Sequence, residues 1–252
     1  MDKFFDKLMA RIFVESQFSL AKTPFTEGDW STSVYIAHKP HGDYFIYLNL
    51  PENLLADVIN DIQIKLFSLI KDGFEQFEQL SVGGLDDVEI SPSFDKNATL
   101  IIFTSHEIGE QLKVLKQSIA IEEDPYFFKK QVLSVTTNER TVVAVSFDQN
   151  KDNYTSYLQG LISDVERFNE FTSTKSLGLN SSGIEYFFTA KLYEKLPFLT
   201  LLVKESNQQN LQQQIDNKLS TEQRINCSEL LALDINKLDE WINEIVKETV
   251  DD

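Results

Sequence analysis

The three histidines are the first candidates for acid-base or metal chemistry, because imidazole changes its charge near neutral pH and binds metal ions. His38 and His41 lie close together, and His106 follows an apolar run. No third ligand is spaced with the first pair, and the sequence contains no HExxH. This pattern favours a solvated hairpin loop and a strand end over a metal or catalytic site.

Covalent catalysis and nucleotide binding have little support among the remaining residues. Cys227 is the single cysteine, so it forms no internal disulfide or cysteine zinc site, and no glycine elbow surrounds it. The adjacent glycines Gly83 and Gly84 lack the Lys-Ser/Thr that follows a phosphate-binding loop. We therefore predict no catalytic residue, no cofactor and no metal, and a reducing compartment.

An acidic cluster at Asp86, Asp87 and Glu89 keeps one enzymatic alternative open. Carboxylates gathered in space can hold a divalent ion beside a scissile phosphate, as in a metal-dependent nuclease-like enzyme. Such an enzyme needs an acid-x-lysine pair on a neighbouring strand, and the strand predicted at 98–104 has none. A Mg²⁺ or Mn²⁺ titration followed by thermal shift, with Asp87→Ala as control, distinguishes this alternative.

The stretch 121–130, IEEDPYFFKK, combines acids, aromatics and lysines. Asp124-Pro125 is typical of a helix start, and the acids before it suit the positive end of a helix dipole. We interpret the stretch as a junction between two helices, and as a recognition patch in the alternative reading, because aromatics rimmed by charge anchor protein interfaces. The candidate interface residues are Glu123, Asp124, Tyr126, Phe128, Lys129 and, near the C-terminus, Trp241.

The composition excludes several classes of function. Forty acids against 23 bases give a net charge of −17, and no dense run of Lys and Arg is present, so we expect no direct nucleic-acid binding. The 42% hydrophobic content predicts a folded chain. No apolar run is long enough for a membrane span, and the first residues do not resemble a signal peptide. The expected location is the cytoplasm.

Apolar spacing predicts the elements of the first half of the chain. Residues 2–20 have helical spacing, and a loop is expected at 23–30 around Pro24. The β-branched and aromatic runs 33–37 and 44–50 predict a hairpin. A long helix is then expected from Glu52 to a stop near Gly73.

The second half of the chain alternates between strand and helix patterns. We predict a buried strand at 98–104 and a helix at 107–122 whose apolar positions are Ile108, Leu112, Leu115, Ile119 and Ile121. Residues 128–135 fit a short helix, while 131–136 fit a strand equally well. A strand at 141–147, helices at 153–171 and 181–196 and a strand at 198–203 follow.

These elements predict a mixed α/β fold, with a single sheet of about five or six strands covered by amphipathic helices. The predicted core domain is 1–205. A helical C-terminal extension, 206–252, contains a glutamine-rich segment that suits a surface helix or a hinge, and an amphipathic helix at 234–249. Both terminal helices are candidates for binding a partner.

Two segments resemble a known family. The pattern E-E-D-P-Y-F-F-K-K-x-V-L, from Glu122 to Leu133, follows D-K-N-A-T-L-I-I-F, from Asp95 to Phe103. Together they resemble the small middle components of bacterial three-component ATPase systems. These accessory subunits are encoded beside an SMC/ABC-type ATPase and an effector in anti-phage defence, as in Lamassu-type operons. The resemblance covers about residues 44–136.

The resemblance implies a non-catalytic adaptor rather than an enzyme. It implies a hetero-oligomer in which this chain bridges or restrains the SMC/ABC-type ATPase and the effector nuclease of the same operon. Purification of the tagged chain from its operon context tests this expectation.

Overall fold

The computed structural model describes residues 3–39, 42–74, 77–80, 90, 93–175, 178–202 and 218–232. The chain divides into two compact units, Met1–Leu202 and Val203–Asp252. The first unit contains the sheet. In the second, the described residues form one helix.

The first unit is built on a six-stranded mixed sheet in the order β4-β1-β2-β3-β5-β6. The strands are β1 Ser19–Glu27, β2 Trp30–His38, β3 Tyr44–Asn49, β4 Glu78–Gln79, β5 Ala98–His106 and β6 Lys129–Thr136. Strands β4, β1, β2 and β3 pair antiparallel, whereas β3, β5 and β6 are parallel. The predicted mixed α/β fold is confirmed.

Helices cover both faces of this sheet. The helices of the first unit are α1 Phe4–Glu15, α2 Gln63–Lys71, α3 Gln111–Glu123, α4 Thr137–Asn150, α5 Tyr154–Ile162, α6 Val165–Thr174 and α7 Ser181–Lys195. The described helix of the second unit is α8 Thr221–Ala232. The helix predicted from Glu52 begins as a 3₁₀ turn, Glu52–Asp57, and a π turn, Val58–Ile62, before α2. It ends at Lys71, and Gly73 lies just beyond the end with a φ of +102°, which favours glycine.

Two hydrophobic cores lie on opposite faces because successive strand side chains point to opposite sides. On one face, Ile46 and Ile102 pack with residues of α2 and α3. On the other, Tyr47 and Phe103 pack with α1, α4, α5 and α7. Both faces of β5 are therefore buried, which explains its continuous apolar sequence.

The predicted loop at 23–30 is wrong, because Ser19–Glu27 forms strand β1. Helix α1 ends at Glu15, short of the predicted residue 20, and Gln17 turns the chain with a φ of +64°. Pro24 is tolerated in the strand because β4 pairs only with Ala21 and Lys22. Among the described residues none pairs with Pro24 on the β4 side of β1. Proline is tolerated in a strand where its missing N–H would face away from a paired neighbour.

The predicted strand at 141–147 is also wrong, because these residues belong to α4. Thr136 accepts a hydrogen bond from the Glu139 backbone, and the Glu139 carboxylate accepts one from the Thr136 backbone. This capping box starts the helix and outweighs the β propensity of its valines.

Two further predictions in the C-terminal part of the first unit need correction. The helix predicted at 153–171 is broken into α5 and α6, because Asp164 caps the start of α6. Residues 198–202 of the predicted strand 198–203 form no strand, and Phe198 instead stacks on Phe13 of α1. The segments 206–217 and 234–249 lie outside the described residues.

Glu15 joins α1 to the start of α5. Its carboxylate accepts hydrogen bonds from the backbone of Tyr154 at 3.1 Å and of Thr155 at 2.7 Å, and from the Thr155 hydroxyl at 2.8 Å. Burial by itself would raise the pKa of Glu15, but the hydrogen bonds from Thr155, Arg11 and Tyr154 outweigh burial and lower it. The ionised carboxylate therefore stabilises the fold.

We expect Glu15→Gln to lower the free energy of unfolding at pH 7 by about 1.5 kcal/mol, because a charged acceptor at a helix start is lost. A lowered pKa means that the wild-type contribution is present above the usual value of 4.5 and is lost as the pH falls through the folded-state pKa. Urea unfolding between pH 7 and pH 3.5 should show the difference shrinking in acid. The exposed Asp148→Asn serves as control, and a pH-independent difference would contradict the prediction.

Candidate protein interface

The junction between α3 and β6 is a loop, Asp124–Phe128, and the helix start predicted there is wrong. Asp124 ends α3 instead of beginning a helix. The chain then enters β6, where Lys130 pairs with Leu100 of β5. Pairing with β5 thus overrides the local Asp-Pro signal, and the strand alternative for 131–136 is confirmed.

A buried lysine organises this loop. The Lys130 side chain is 0% exposed, and its Nζ lies 2.8 Å from Asp124 Oδ2. The same ammonium donates to the backbone carbonyls of Asp124, Tyr126 and Phe128. The loop therefore wraps around one cation, which we call the Lys130 latch.

The Asp124 carboxylate is the anionic partner in the Lys130 latch, and it also accepts a hydrogen bond from Gln63 Nε2 at 3.2 Å. Burial by itself would raise the pKa of Asp124, but the hydrogen bonds from Lys130 and Gln63 outweigh burial and lower it. Gln63 begins α2, so the Lys130 latch ties the loop to a second helix.

The loop separates the predicted interface residues into two groups. Tyr126 is 67% exposed, and Glu123 and Lys129 are exposed as well. Phe128 is only 2% exposed and packs in the core beside Phe94, with ring centroids 6.2 Å apart. The structure thus presents Glu123, Tyr126 and Lys129 on the surface and directs Phe128 inward. Trp241 lies outside the described residues.

The other residues that could act in catalysis or bind a metal do not form a common site among the described residues. His38 stacks on Tyr44 with ring centroids 4.2 Å apart, and His106 Nδ1 lies 2.9 Å from the Glu107 carbonyl. Cys227 lies in α8. Among the described residues, no three His, Cys, Asp or Glu side chains are grouped to hold a metal ion. The remaining candidates, His41, Gly83, Gly84, Asp86, Asp87 and Glu89, fall outside those residues.

Helix α3 exposes most of its predicted apolar face. The structure confirms the helix but buries Val114, Ser118 and Ile121. The four other apolar positions form what we call the α3 stripe: Ile108 (71% exposed), Leu112 (64%), Leu115 (52%) and Ile119 (45%). Ile108 lies in the 3₁₀ turn that leads into α3. A contiguous apolar stripe of this kind is typical of a surface that binds another molecule.

A groove of about 290 Å³ lies beside the α3 stripe, along the edge strand β6. Leu115 and Ile119 of α3 line one side, and Phe187 and Lys191 of α7 line the other. The Lys191 ammonium donates to the Ser134 carbonyl at 3.1 Å, and burial lowers the pKa of this lysine. The groove is thus lined largely by apolar side chains, and its charged lining residues are Glu122, Lys191, Glu194 and Lys195.

Side chains also occupy the outward backbone groups of β6. The Glu122 carboxylate accepts from the Val132 N–H at 2.8 Å and pairs with the Lys195 ammonium at 2.8 Å. Together with Lys191 on Ser134, these contacts protect an edge strand against pairing with another strand. The face formed by α3 and the groove therefore offers side chains to a partner.

Comparison with known proteins finds a family model that matches part of the chain. Residues 52–158 match the family model of ABC-three component (ABC-3C) system Middle Component 1. The match covers less than half of the chain and supports a middle component of an ABC-3C system. It runs from the turn before α2 into α5, so it contains the Lys130 latch, the α3 stripe and β6. No curated protein and no solved structure matches the chain.

Within the segment that matches Middle Component 1, sequence reasoning missed the α3 stripe as a surface and Lys130 as a buried cation. The sequence did contain a signal for the α3 stripe. At 3.6 residues per turn, the mean direction of its four side chains around the helix axis differs by about 140° from that of Val114 and Ile121. An apolar arc that wide exceeds what one sheet face covers. Lys130 carries no comparable signal, because its partners, the Asp124 carboxylate and three backbone carbonyls, are brought near only by the folded loop.

No helix among the described residues is long and apolar enough to cross a membrane.

Proposed function

We propose that this chain is a non-catalytic accessory subunit of an ABC-three component system and that it works by binding partner subunits. The observation that carries the proposal is the exposed α3 stripe inside the segment that matches Middle Component 1. Leaving four large aliphatic side chains in water is unfavourable for an isolated chain, and covering them with a partner recovers that free energy.

The composition and the loop support the same role. A net charge of −17 disfavours contact with a phosphate backbone, so we expect this chain to bind protein partners rather than nucleic acid. The Lys130 latch holds Tyr126 outward next to the end of α3, where an aromatic ring rimmed by Glu123 and Lys129 has the character of an interface anchor.

In more detail, we propose that the partners are the SMC/ABC-type ATPase and the effector nuclease of the same operon. This chain would bridge or restrain the two in a cytoplasmic anti-phage complex. The support for this detail is the resemblance of Glu122–Leu133 and Asp95–Phe103 to such middle components. The family match over 52–158 supports the coarser role of a middle component.

The test is affinity purification of the tagged chain expressed with its own operon, followed by mass spectrometry and sizing. We expect near-stoichiometric recovery of partner subunits. Tyr126→Ala should lower that recovery about tenfold, because truncation of an interface anchor costs roughly 1–2 kcal/mol. The free energy of unfolding should change by less than about 0.5 kcal/mol, because the ring is exposed.

The control is Val165→Ala, a substitution of an equally exposed residue at the start of α6, away from the loop. It should leave recovery unchanged. Recovery of the wild-type chain as a monomer without companions would refute the accessory-subunit proposal.

A further inference from the structure

We infer that the α3 stripe binds one amphipathic α-helix of a different chain, with leucine or isoleucine at its core positions and an acidic side chain facing Lys116. This inference rests on the proposed function and adds to it the docking surface and the chemistry of the partner.

The spacing of the α3 stripe argues for a helix as the occupant. Ile108, Leu112, Leu115 and Ile119 are separated by four, three and four residues. This is the a/d repeat of a coiled coil, in which each apolar side chain inserts between four residues of a facing helix. At about 1.5 Å per residue, this part of the chain faces roughly three turns of a partner helix.

The edge strand argues against an extended occupant. A partner strand would need the outward backbone groups of β6, but Glu122 accepts from the Val132 N–H and Lys191 donates to the Ser134 carbonyl. The groove between α3 and α7 instead leaves room for side chains of a helix that lies along the α3 stripe.

The charge beside the α3 stripe selects the partner. In the a/d repeat Lys116 takes an e position, where ion pairs determine which helices associate. Lys116 is exposed, and no described residue forms an ion pair with it. The neighbouring Lys113 points away from the α3 stripe and is bound by Glu52 and Glu110. An acidic residue on the partner helix complements Lys116.

A second copy of this chain fits the same surface poorly. In a symmetric pair of antiparallel helices centred on the α3 stripe, the e positions of the two copies flank each other. Lys116 then lies beside Gly109 and Lys116 of the other copy, and no acid faces it. Each copy also carries a net charge of −17, so association of two copies is opposed over long range. We therefore assign the surface to a different chain.

The experiment uses the complex purified from the operon, with the photo-cross-linker benzoylphenylalanine at position 112. A matched control carries it at position 145, an exposed valine of α4. We expect the position-112 cross-links to map to one partner segment with apolar residues three and four apart and an acid on its flank. The control position should not label that segment.

A charge exchange in the same complex tests the acidic flank. Lys116→Glu should weaken partner binding about fivefold, by loss of one ion pair and gain of repulsion, and Lys113→Glu less than twofold. Changing the acid nearest to the cross-link into lysine should restore binding to Lys116→Glu.

The outcomes separate the two proposals. An intact complex without cross-links from position 112, or with cross-links to a strand, a loop or a second copy, overturns the helix inference and leaves the accessory role standing. An unchanged affinity with Lys116→Glu overturns the acidic flank. Failure of the wild-type chain to recover any partner removes both.

Discussion

Replacing Lys130 by methionine is expected to lower the free energy of unfolding by about 3–5 kcal/mol, because removal of one member of a buried ion pair leaves the other charge unpaired. Methionine matches the length of the lysine stem, so packing changes little. What is lost is the ammonium that neutralises Asp124 and binds three backbone carbonyls. The loop would then bury an unpaired carboxylate and unsatisfied carbonyl groups.

Urea unfolding at pH 7 measures this effect. The neighbouring Lys129→Met provides a matched control, because Lys129 is exposed and its substitution should change the free energy of unfolding by less than about 0.5 kcal/mol. A double-mutant cycle with Asp124→Asn should give a coupling of about 1–3 kcal/mol. If Lys130→Met costs less than about 1 kcal/mol, the loop does not depend on the cation and the Lys130 latch is a minor feature.

The second large effect concerns binding. Leu112→Glu combined with Leu115→Glu should reduce recovery of partner subunits at least about 100-fold while leaving the fold intact. Both leucines are already more than half exposed in this chain, so folding does not require them. In a complex, however, two carboxylates would be buried against apolar side chains, which costs several kcal/mol.

The measurement is recovery from the operon, with thermal unfolding of each purified variant. The matched control is Val145→Glu combined with Val165→Glu, which places two charges at exposed apolar positions of α4 and α6. Its recovery should equal that of the wild type. A fall of the unfolding midpoint by more than about 5 °C in the leucine variant would show that α3 packs differently and that its stripe belongs to the core.

These two predictions separate folding from assembly in one contiguous region. Lys130 shapes the loop after α3 from within, whereas Leu112 and Leu115 lie on the outer side of α3. Lys130→Met acts through stability and through the position of Tyr126. The leucine variant acts only through contact with a partner, so the same pair of assays distinguishes the two causes.

The sequence by itself determined the mixed α/β class and the elements whose local pattern agrees with their environment. The buried strand β5, the hairpin β2–β3 and the helices α3 and α7 were all predicted, because continuous apolar runs are typical of buried strands and spacing of three and four residues is typical of helices. The resemblance of the 122–133 segment, supported by the family match, also came from the sequence alone.

Only the tertiary structure decided the elements in which local signals compete with long-range pairing. The Asp124-Pro125 signal predicts a helix, but pairing of β6 with β5 places a strand there. The valines near 143 predict a strand, and the helix start at α4 is given by a local signal at their margin, the Thr136 and Glu139 capping box, whose two hydrogen bonds the structure shows. In each case contacts with residues outside the segment, or at its margin, outweigh propensities that differ by less than about 1 kcal/mol per residue.

The candidate interface shows the same division. Spacing identified Ile108, Leu112, Leu115 and Ile119 as one helical face, but spacing cannot tell whether a sheet covers that face. Because Val114 and Ile121 turn toward the sheet, the α3 stripe stays in solvent. The burial of Phe128 and Lys130 likewise depends on the folded loop. The sequence places both residues next to Lys129, which is exposed, and gives no sign that they differ from it in burial.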